Sequence, residues 1–353
     1  MPALTFDGHN DSLSRLWVGA RESGFDPVAE FARDVGHVNT PAARSGGLSG
    51  GFFALYSPSR RAPFDHSKMA GLPYDTPLPA ALDAGAALQS VIGQAGIAHN
   101  LQNAGHLTLC TSAMELAETF VSDRLAAILH LEGADCIDPD LLALDTLYAL
   151  GLRSLGPVWS RPTIFGDGVP FQFGRDGDTG PGLTADGMRL IERCRALGVM
   201  VDTSHLTMAG FWQIAEAGLP LVATHSNAYA HCPATRNLTD AQLRAIGETG
   251  GMVGLNFGTI FMDQAGWDTG RATLDVAMRH LDHMIALAGE DHVGIGSDFD
   301  GAPMPDGIKS AADLPALQDA MQNHGYGPDL IAKICHENWL SFCADALGHE
   351  ATD

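Results

Sequence analysis

Eight short apolar runs, rich in valine, isoleucine and leucine, recur along the chain, and helix-like segments separate them. Strands that alternate with helices indicate a parallel sheet with right-handed crossovers. Eight such strands in one chain favour a closed (β/α)8 barrel over an open doubly wound sheet. The G-x-G-x-x-G pattern does not follow the first strand, which argues against a dinucleotide-binding fold. We therefore predict a TIM-type barrel that forms a single α/β domain over residues 1–353.

The apolar runs and the turn residues between them set the predicted element boundaries. The strands are Ala3–Gly8, Gly50–Tyr56, Ala126–Leu131, Arg153–Val158, Val199–Thr203, Leu219–Thr224, Met252–Asn256 and His292–Gly296. The helices include Ala80–Ala104, Ser112–Arg124, Asp140–Leu150, Asp186–Ala196, Met208–Glu216, Thr239–Glu248, Thr273–Ala288 and Asp329–Phe342. Two long segments, Ser57–Pro79 and Trp159–Leu183, follow predicted strands on the side where a barrel has its active site. Loops this long are usually functional, so we expect lids.

Charge and cysteine content argue against several classes of partner. The formal net charge is −22, and nucleic acids and anionic membranes repel such a surface. The sequence shows no secretory leader and no apolar stretch of bilayer-spanning length. The six cysteines are scattered without a C-x-x-C pair, which disfavours a disulfide scaffold or a cysteine-rich zinc site. We expect free buried thiols in a cytoplasmic protein, and the sequence leaves the oligomeric state open, a homodimer included.

The first predicted strand leads into a histidine and an aspartate two residues apart, His9 and Asp11. In an extended segment such side chains point to one side, so both can face the mouth of the barrel. An imidazole beside a carboxylate suits a divalent metal. The same spacing at His280 and Asp282 lies in a predicted helix, where the two side chains diverge.

Glu132 and two histidines, His205 and His225, stand at or just past the ends of three other strands. An acidic residue that ends an apolar strand is costly to desolvate unless it is paired or bound to a cation. A salt bridge to an arginine at the rim is the alternative for Glu132. His130 lies two residues before Glu132, so in a strand the two side chains point to the same face. For His130, the role of a hydrogen-bonded core histidine is favoured over that of a partner of the metal ligands.

Asp298 ends the eighth predicted strand, where a carboxylate could hold a metal-bound water and accept its proton. Asp300, directly before Gly301, fits a turn residue better. In a barrel, all of these strand ends converge on one face. Three histidines and three carboxylates exceed what a single zinc requires, and two metals that share a bridging carboxylate use them better.

The segments that carry these residues resemble the renal, or membrane, dipeptidase family of zinc peptidases, within the wider amidohydrolase group. The matching stretches are Asp7-Gly8-His9-Asn10-Asp11, Glu132-Gly133, Asp202-Thr203-Ser204-His205, Thr224-His225-Ser226-Asn227-Ala228-Tyr229, Arg236-Asn237-Leu238 and Gly296-Ser297-Asp298-Phe299-Asp300-Gly301. They occur in order over nearly the whole chain. The H-S-x-A-Y…R-N and D-F-D-G runs are the most specific of them.

The resemblance implies a metallodipeptidase with two zinc ions per chain. One zinc would be bound by His9 and Asp11 and the other by His205 and His225. Glu132 would bridge the two ions. A hydroxide shared by both metals would then attack the scissile carbonyl of a dipeptide.

The resemblance also implies roles for two residues outside the ligand set. Asp298 would take the proton and pass it to the departing amine. Arg236 would receive the free C-terminal carboxylate of the substrate, a task suited to a planar two-pronged donor, although a rim salt bridge is an alternative for it. A D-residue would be tolerated at the C-terminal position of the dipeptide.

One position departs from the family pattern. Trp159 stands where family members commonly carry a histidine that contacts the substrate and the tetrahedral intermediate. An indole is a neutral donor without acid–base function. Trp159 would therefore either donate a hydrogen bond to the intermediate or shape an apolar pocket, and Arg161 is an alternative source of positive charge from the same loop.

Two other functions compete with a dipeptidase. Another binuclear amidohydrolase would cleave N-acyl-D-amino acids, lactones or phosphoesters. Arg236, and a glutamate rather than a lysine at position 132, argue against that alternative. A non-catalytic barrel that keeps zinc or a ligand is the second, and the nearly complete ligand set argues against it.

Overall fold

A computed structural model describes residues 3–59, 69, 73–264 and 272–348. Its centre is a parallel barrel whose strands we number in chain order: β1 (Thr5–Asn10), β2 (Leu48–Tyr56), β3 (Leu125–Glu132), β4 (Leu152–Gly156), β5 (Met200–Val201), β6 (Val222–Ala223), β7 (Met252–Leu255) and β8 (Val293–Ile295). The hydrogen-bonded order is β5-β4-β3-β2-β1-β8-β7-β6. A parallel bridge between Asp202 and Val222 joins the two ends of this order. The predicted (β/α)8 barrel is confirmed.

All eight predicted strands overlap an observed one, and the first continues two residues beyond its predicted end to Asn10. The α-helices are Ser12–Ser23, Pro27–Phe31, Thr40–Gly46, Ala84–Asn103, Ala113–Phe120, Leu142–Ala149, Ala185–Leu197, Met208–Glu216, Asp240–Glu248, Thr259–Met262, Leu274–Ala288, Leu314–His324, Pro328–Ala332 and Asn338–Leu347. A 3₁₀ turn spans Ala311–Asp313. The predicted helix Asp329–Phe342 is wrong as one continuous α-helix, because a π-helical turn over Lys333–Glu337 interrupts it.

The barrel interior holds a cluster of apolar side chains drawn from six strands, and Trp339 from the last helix inserts among them. Trp339 is fully buried, and its indole donates to the carbonyl of Ile295 at 2.9 Å. A Cβ at Gly8 would lie 2.8 Å from the Trp339 ring. The last helix therefore closes one end of the barrel. The predicted site residues lie at the opposite end.

The backbone strands approach closely where β7 and β8 meet the end of β6. A Cβ added at Gly254 would overlap the carbonyl oxygen of Thr224 and lie 2.9 Å from the Cα of Gly296. We expect Gly254→Ala to lower the free energy of unfolding by about 1–3 kcal/mol or more, because a backbone atom must move to make room. Urea denaturation measures this value.

The matched control is Gly96→Ala. Gly96 is a solvent-exposed residue in the middle of the helix Ala84–Asn103, where an added Cβ has no neighbour within 4 Å. That substitution is expected to stabilise the protein by about 0.5–1 kcal/mol, because alanine has less backbone freedom to lose. Equal urea midpoints for Gly254→Ala and the wild type would contradict this prediction, because the strands would then accommodate a Cβ at residue 254 without cost.

The two long segments predicted as lids meet over the open end of the barrel. Asp75–Thr76 pairs antiparallel with Phe171–Gln172, so the loops after β2 and β4 share a two-stranded ribbon. Met69 and Tyr74 pack with Phe171 in one apolar cluster. The remainder of the first segment, 60–68 and 70–72, lies outside the described residues.

The described residues include no helix with both the length and the apolar character needed to cross a bilayer. All six cysteines are buried and unpaired, as predicted.

Candidate metal centre

The barrel brings all six predicted site residues for metal and proton chemistry to the carboxyl ends of its strands. His9 lies in β1 and Glu132 is the last residue of β3. His205 and His225 follow β5 and β6, and Asp298 follows β8. Asp11 occupies the residue before the helix Ser12–Ser23. All six side chains are buried, although they come from widely separated parts of the chain.

The carboxylate of Glu132 lies at the centre of the three histidines. Its Oε1 atom is 3.0 Å from His205 Nε2, 3.5 Å from His225 Nε2 and 3.7 Å from His9 Nε2. The Nε2 atoms of His205 and His225 are 3.2 Å apart. The rings of His9 and His225 stack with their centroids at 3.8 Å. Glu132 therefore lies between the three histidines, and among the described residues no arginine forms a salt bridge with it.

Within the described part of the chain, two overlapping groups of ligand atoms lie close enough to hold cations. His9, Glu132 and His225 form one group, and His9, Asp11 and Asp298 form the other, with all ligand atoms of a group within 4.8 Å of one another. His205 belongs to neither group, although it contacts Glu132.

Both ring nitrogens of His9 lack a hydrogen-bond partner among the described residues, and the side chain is fully buried. An unsatisfied buried polar atom is costly, and coordination to a cation would remove that cost. The donors, imidazole nitrogens and carboxylate oxygens, are those that zinc accepts. The residues present therefore fit a metal site.

The pKa values of the clustered side chains point the same way. Burial raises the pKa of Glu132 to about 8, against the opposing effect of His9. Burial disfavours charge on His9, but Glu132 and Asp11 outweigh it and raise its pKa to about 10. Burial, with nearby positive groups, lowers the pKa values of His205 and His225 well below the usual range. A divalent cation would favour the deprotonated forms of all these groups.

Asp298 adopts a left-handed backbone conformation, with φ of 60°, which is uncommon for a residue other than glycine. Its amide donates to the carbonyl of His9 at 3.0 Å. Asn256 donates to its Oδ2 atom, also at 3.0 Å. Ser297, the preceding residue, donates twice to the buried carboxylate of Asp7, each bond 2.7 Å long. These bonds hold the strained conformation, and such strain is typical of functional sites.

Asp300 is a turn residue, as predicted, with φ of 66°. Its carboxylate accepts hydrogen bonds from the amides of His37 and Val38 and pairs with Arg15 Nε at 3.1 Å. Its charge is therefore already compensated.

Arg236 lies fully buried beside the ligand cluster. Its guanidinium donates to the carbonyls of Ser204 and His225 and to the hydroxyl of Ser226, but Nε has no hydrogen-bond partner among the described residues. Burial lowers its pKa to about 10, so the side chain keeps its charge at neutral pH. The guanidinium also packs over the ring of Phe261. No carboxylate within the described part of the chain forms a salt bridge with it, which argues against the rim salt-bridge alternative.

A cavity of about 190 Å³ lies beside Arg236 and five of the six clustered side chains, all except His9. Its walls include Asp11, Tyr56, Met69, Glu132, Trp159, Phe171, His205, His225, Arg236, Phe261 and Asp298. The cavity is therefore polar at the ligand cluster and apolar under the ribbon of the two loops.

Trp159 lines this cavity, and its ring contacts Tyr56, Phe171 and His205 with centroids 5.3–5.9 Å apart. Arg161 does not line it. The Arg161 side chain is fully buried behind Trp159 and donates to the Tyr56 hydroxyl at 2.9 Å. Arg161 therefore does not contact the cavity, although its charge is near enough to contribute to the low pKa of His205.

Sequence reasoning missed several residues that support the site. They are Asn256 beside Asp298, Ser160 beside His205, and the aromatic walls Tyr56, Phe171 and Phe261. Tyr56 and Asn256 end predicted strands on the functional face, which is the one signal that could have found them. His130 is buried with Nδ1 at 2.9 Å from the Ser154 hydroxyl, as expected of a core histidine.

The barrel and the buried ligand cluster at its carboxyl end define a metal-dependent hydrolase. Residues 2–347 match the sequence family described as membrane dipeptidase, peptidase family M19. The chain belongs to this family, and it is a metallodipeptidase. The resemblance predicted from its motifs is confirmed.

Solved structures agree with this assignment. A dipeptidase of family M19, described as a metallopeptidase, has a TM-score of 0.92 and 44% identity, over 99% of this chain and 100% of its own. A metallopeptidase from Rhodobacter sphaeroides, liganded with a phosphinate mimic of the dipeptide L-Ala-D-Ala, has a TM-score of 0.90 and 45% identity, over 98% and 99%. An uncharacterized protein from the pqqA 5′ region of Klebsiella pneumoniae is 45% identical over 69% of this chain and 89% of its own length.

Proposed function

We propose that this chain is a two-zinc dipeptidase that hydrolyses dipeptides with a free C-terminal carboxylate and accepts a D-residue at the C-terminal position. The observation that carries the proposal is the single cavity in which Arg236 lies beside the metal-ligand cluster. A dipeptide presents one scissile amide and one carboxylate a short distance apart, which such a cavity can bind together. The ligand of the Rhodobacter sphaeroides relative, a mimic of L-Ala-D-Ala, supports the D-residue.

The proposed ligand set divides between two ions. His9 and Asp11 would hold one ion, and His205 and His225 would hold the other. Glu132, which contacts all three histidines, would be a ligand of both. When bound, the ions would lower the pKa of a bound water and polarise the scissile carbonyl.

Asp298 acts as the proton carrier in this proposal. Asn256 holds its Oδ2 atom, which leaves Oδ1 to take a proton from the attacking water and to deliver it to the departing amine. Burial raises the pKa of Asp298 above its usual value, with Asp11 adding to the rise, and this makes the carboxylate a stronger base.

Arg236 fixes the substrate. Its guanidinium is held by backbone carbonyls of the loops that carry His205 and His225, so a carboxylate bound to it would be fixed relative to the ligand cluster. A charge-assisted, two-pronged contact would select a free carboxylate over an amide or ester. Trp159, Phe171 and Phe261 would cover the apolar parts of the dipeptide.

A substrate panel tests the proposal. The wild-type protein would be assayed with L-Ala-D-Ala, L-Ala-L-Ala, the amide of L-Ala-D-Ala, and N-acetyl-D-Ala. We expect hydrolysis of L-Ala-D-Ala with a kcat/KM at least about 100-fold above that of its amide, since one buried charge-assisted contact is lost. Faster turnover of N-acetyl-D-Ala than of either dipeptide would contradict the proposal in favour of an acyl-amino-acid hydrolase.

Metal removal gives a second prediction. Dialysis against a chelator is expected to abolish L-Ala-D-Ala hydrolysis, because the proposed activation of water depends on the ions that the clustered ligands would hold. Addition of zinc is expected to restore activity in a titration that ends near two ions per chain. Full activity in a protein shown by elemental analysis to be metal-free would contradict the metal roles.

We further propose that residues 1–353 work as one domain, with the two loops of the ribbon as its lids. The buried, unpaired cysteines support a reducing cytoplasm as the location. The net charge of −22 supports the expectation that neither nucleic acid nor an anionic membrane is a partner.

A further inference from the structure

A buried carboxylate lies behind His225, on the side away from the cavity. Asp202 follows β5, is 4% exposed and does not line the cavity. Its Oδ2 atom is 2.7 Å from the hydroxyl of Thr224, and that hydroxyl is 2.8 Å from His225 Nδ1. The three side chains therefore form a continuous hydrogen-bonded line from Asp202 to His225.

The hydrogen atoms in this line can be assigned by counting. Asp202 accepts from the amides of Ser204 and Thr224 and from the hydroxyl of Ser204, as well as from the hydroxyl of Thr224. Burial opposes its ionisation, but these donors and the nearby His130 ring hold the pKa of Asp202 below its usual value. An ionised carboxylate only accepts, so the single hydroxyl hydrogen of Thr224 points to Asp202.

The contact between Thr224 and His225 then needs its hydrogen from the ring. His225 must carry its proton on Nδ1, which leaves the lone pair on Nε2, an atom that lies 3.2 Å from His205 Nε2 and 3.5 Å from Glu132 Oε1. That tautomer is the one a metal ligand requires at Nε2. The opposite tautomer would place a hydrogen in the centre of the ligand cluster.

We propose that Asp202, acting through the Thr224 hydroxyl, is a positioning residue that fixes the tautomer and ring orientation of His225 for metal binding. This inference rests on the proposed function for its metal, but it concerns the state of one ring before any metal binds. His205 differs from His225. Its Nδ1 lies 3.0 Å from the hydroxyl of Ser160, and among the described residues that hydroxyl has no carboxylate behind it.

The test compares Thr224→Val, which removes the hydroxyl but keeps the shape, with Thr224→Ser, which keeps the hydroxyl. Nitrogen-15 NMR of the metal-free protein reports the tautomer of His225, and competition with a chromophoric chelator reports zinc affinity. In Thr224→Val we expect loss of the Nδ1–H tautomer and about 10–100-fold weaker binding of one zinc. In Thr224→Ser we expect the wild-type tautomer and an affinity within about 3-fold of the wild type.

Asp202→Asn gives an independent variant. Its amide can donate to Thr224, which would turn the threonine hydroxyl toward His225 and force the proton onto Nε2. We expect the same weakening of one zinc as in Thr224→Val. Ser160→Ala is the matched control, since it removes the hydroxyl beside the other histidine, and it should leave the Nδ1–H tautomer of His225 unchanged.

Wild-type tautomer and zinc affinity in both Thr224→Val and Asp202→Asn would overturn the proposal. Equal losses in Thr224→Ser and Thr224→Val would also overturn it, because packing rather than the hydroxyl would then be the cause. The NMR readout needs no substrate and no metal. Failure of the dipeptidase proposal would therefore appear in the substrate panel, and failure of this inference in the ring resonances.

Discussion

Replacing Glu132 with glutamine is expected to reduce zinc content by at least one ion per chain and to lower kcat/KM by more than about 100-fold. Changes to groups that only support a metal ligand cost about 10–100-fold, so loss of a charged ligand should exceed that range. The Oε1 atom of Glu132 lies within 3.7 Å of all three histidines, and an uncharged amide could not replace the contact with two cations that we propose for it. Elemental analysis and steady-state kinetics measure the two quantities.

Glu192→Gln is the matched control, because Glu192 is an exposed residue whose only described salt bridge joins it to Arg195 on the same helix. It should keep the metal content and rate of the wild type. Glu132→Gln with two zinc ions and normal kinetics would mean that the carboxylate at the centre of the cluster is not a ligand.

Arg236→Met is expected to lower kcat/KM for L-Ala-D-Ala by about 10²–10³-fold while zinc content stays unchanged. Truncating one partner of a buried charge pair costs about 2–5 kcal/mol. The methionine side chain keeps much of the packing over Phe261, so the lost interaction is mainly the charge. The amide of the same dipeptide, which lacks the carboxylate, should lose far less in the variant than L-Ala-D-Ala does.

The control is Arg189→Met, a change at an exposed arginine paired with Asp186 on its own helix. It should leave both substrates unaffected. Arg236→Met could instead lower kcat/KM for L-Ala-D-Ala and for its amide by the same factor. Arg236 would then hold the loops that carry His205 and His225, and it would not bind the substrate carboxylate.

The fold could be predicted because its signals are local. Each barrel strand is an apolar run, and the ends of parallel strands must lie on one face, so ligands far apart in the chain could be assigned to one site. The helices Ser12–Ser23 and Leu314–His324 were not predicted. The buried face of the first includes Ser12 and Ser14, and that of the second consists of only Leu314, Leu317 and Met321. The strand Leu107–Leu109, which pairs with β3, is too short to stand out from its surroundings.

Parts of the site depend on side-chain direction, and the sequence could not supply that. Arg161 is only two residues from Trp159, but Trp159 lines the cavity whereas Arg161 is buried behind Trp159. The Asn256 contact with Asp298 and the line from Asp202 to His225 join residues on different strands. Such contacts are set by how the strands are staggered, which no single motif encodes.

Anomalous diffraction at the zinc absorption edge tests the central claim most directly. Crystals grown from zinc-loaded protein should show two strong peaks next to Glu132, one within coordination distance of His9 and Asp11 and the other near His205 and His225. A map with no peak among these residues, or with zinc bound only elsewhere on the molecule, would contradict the account.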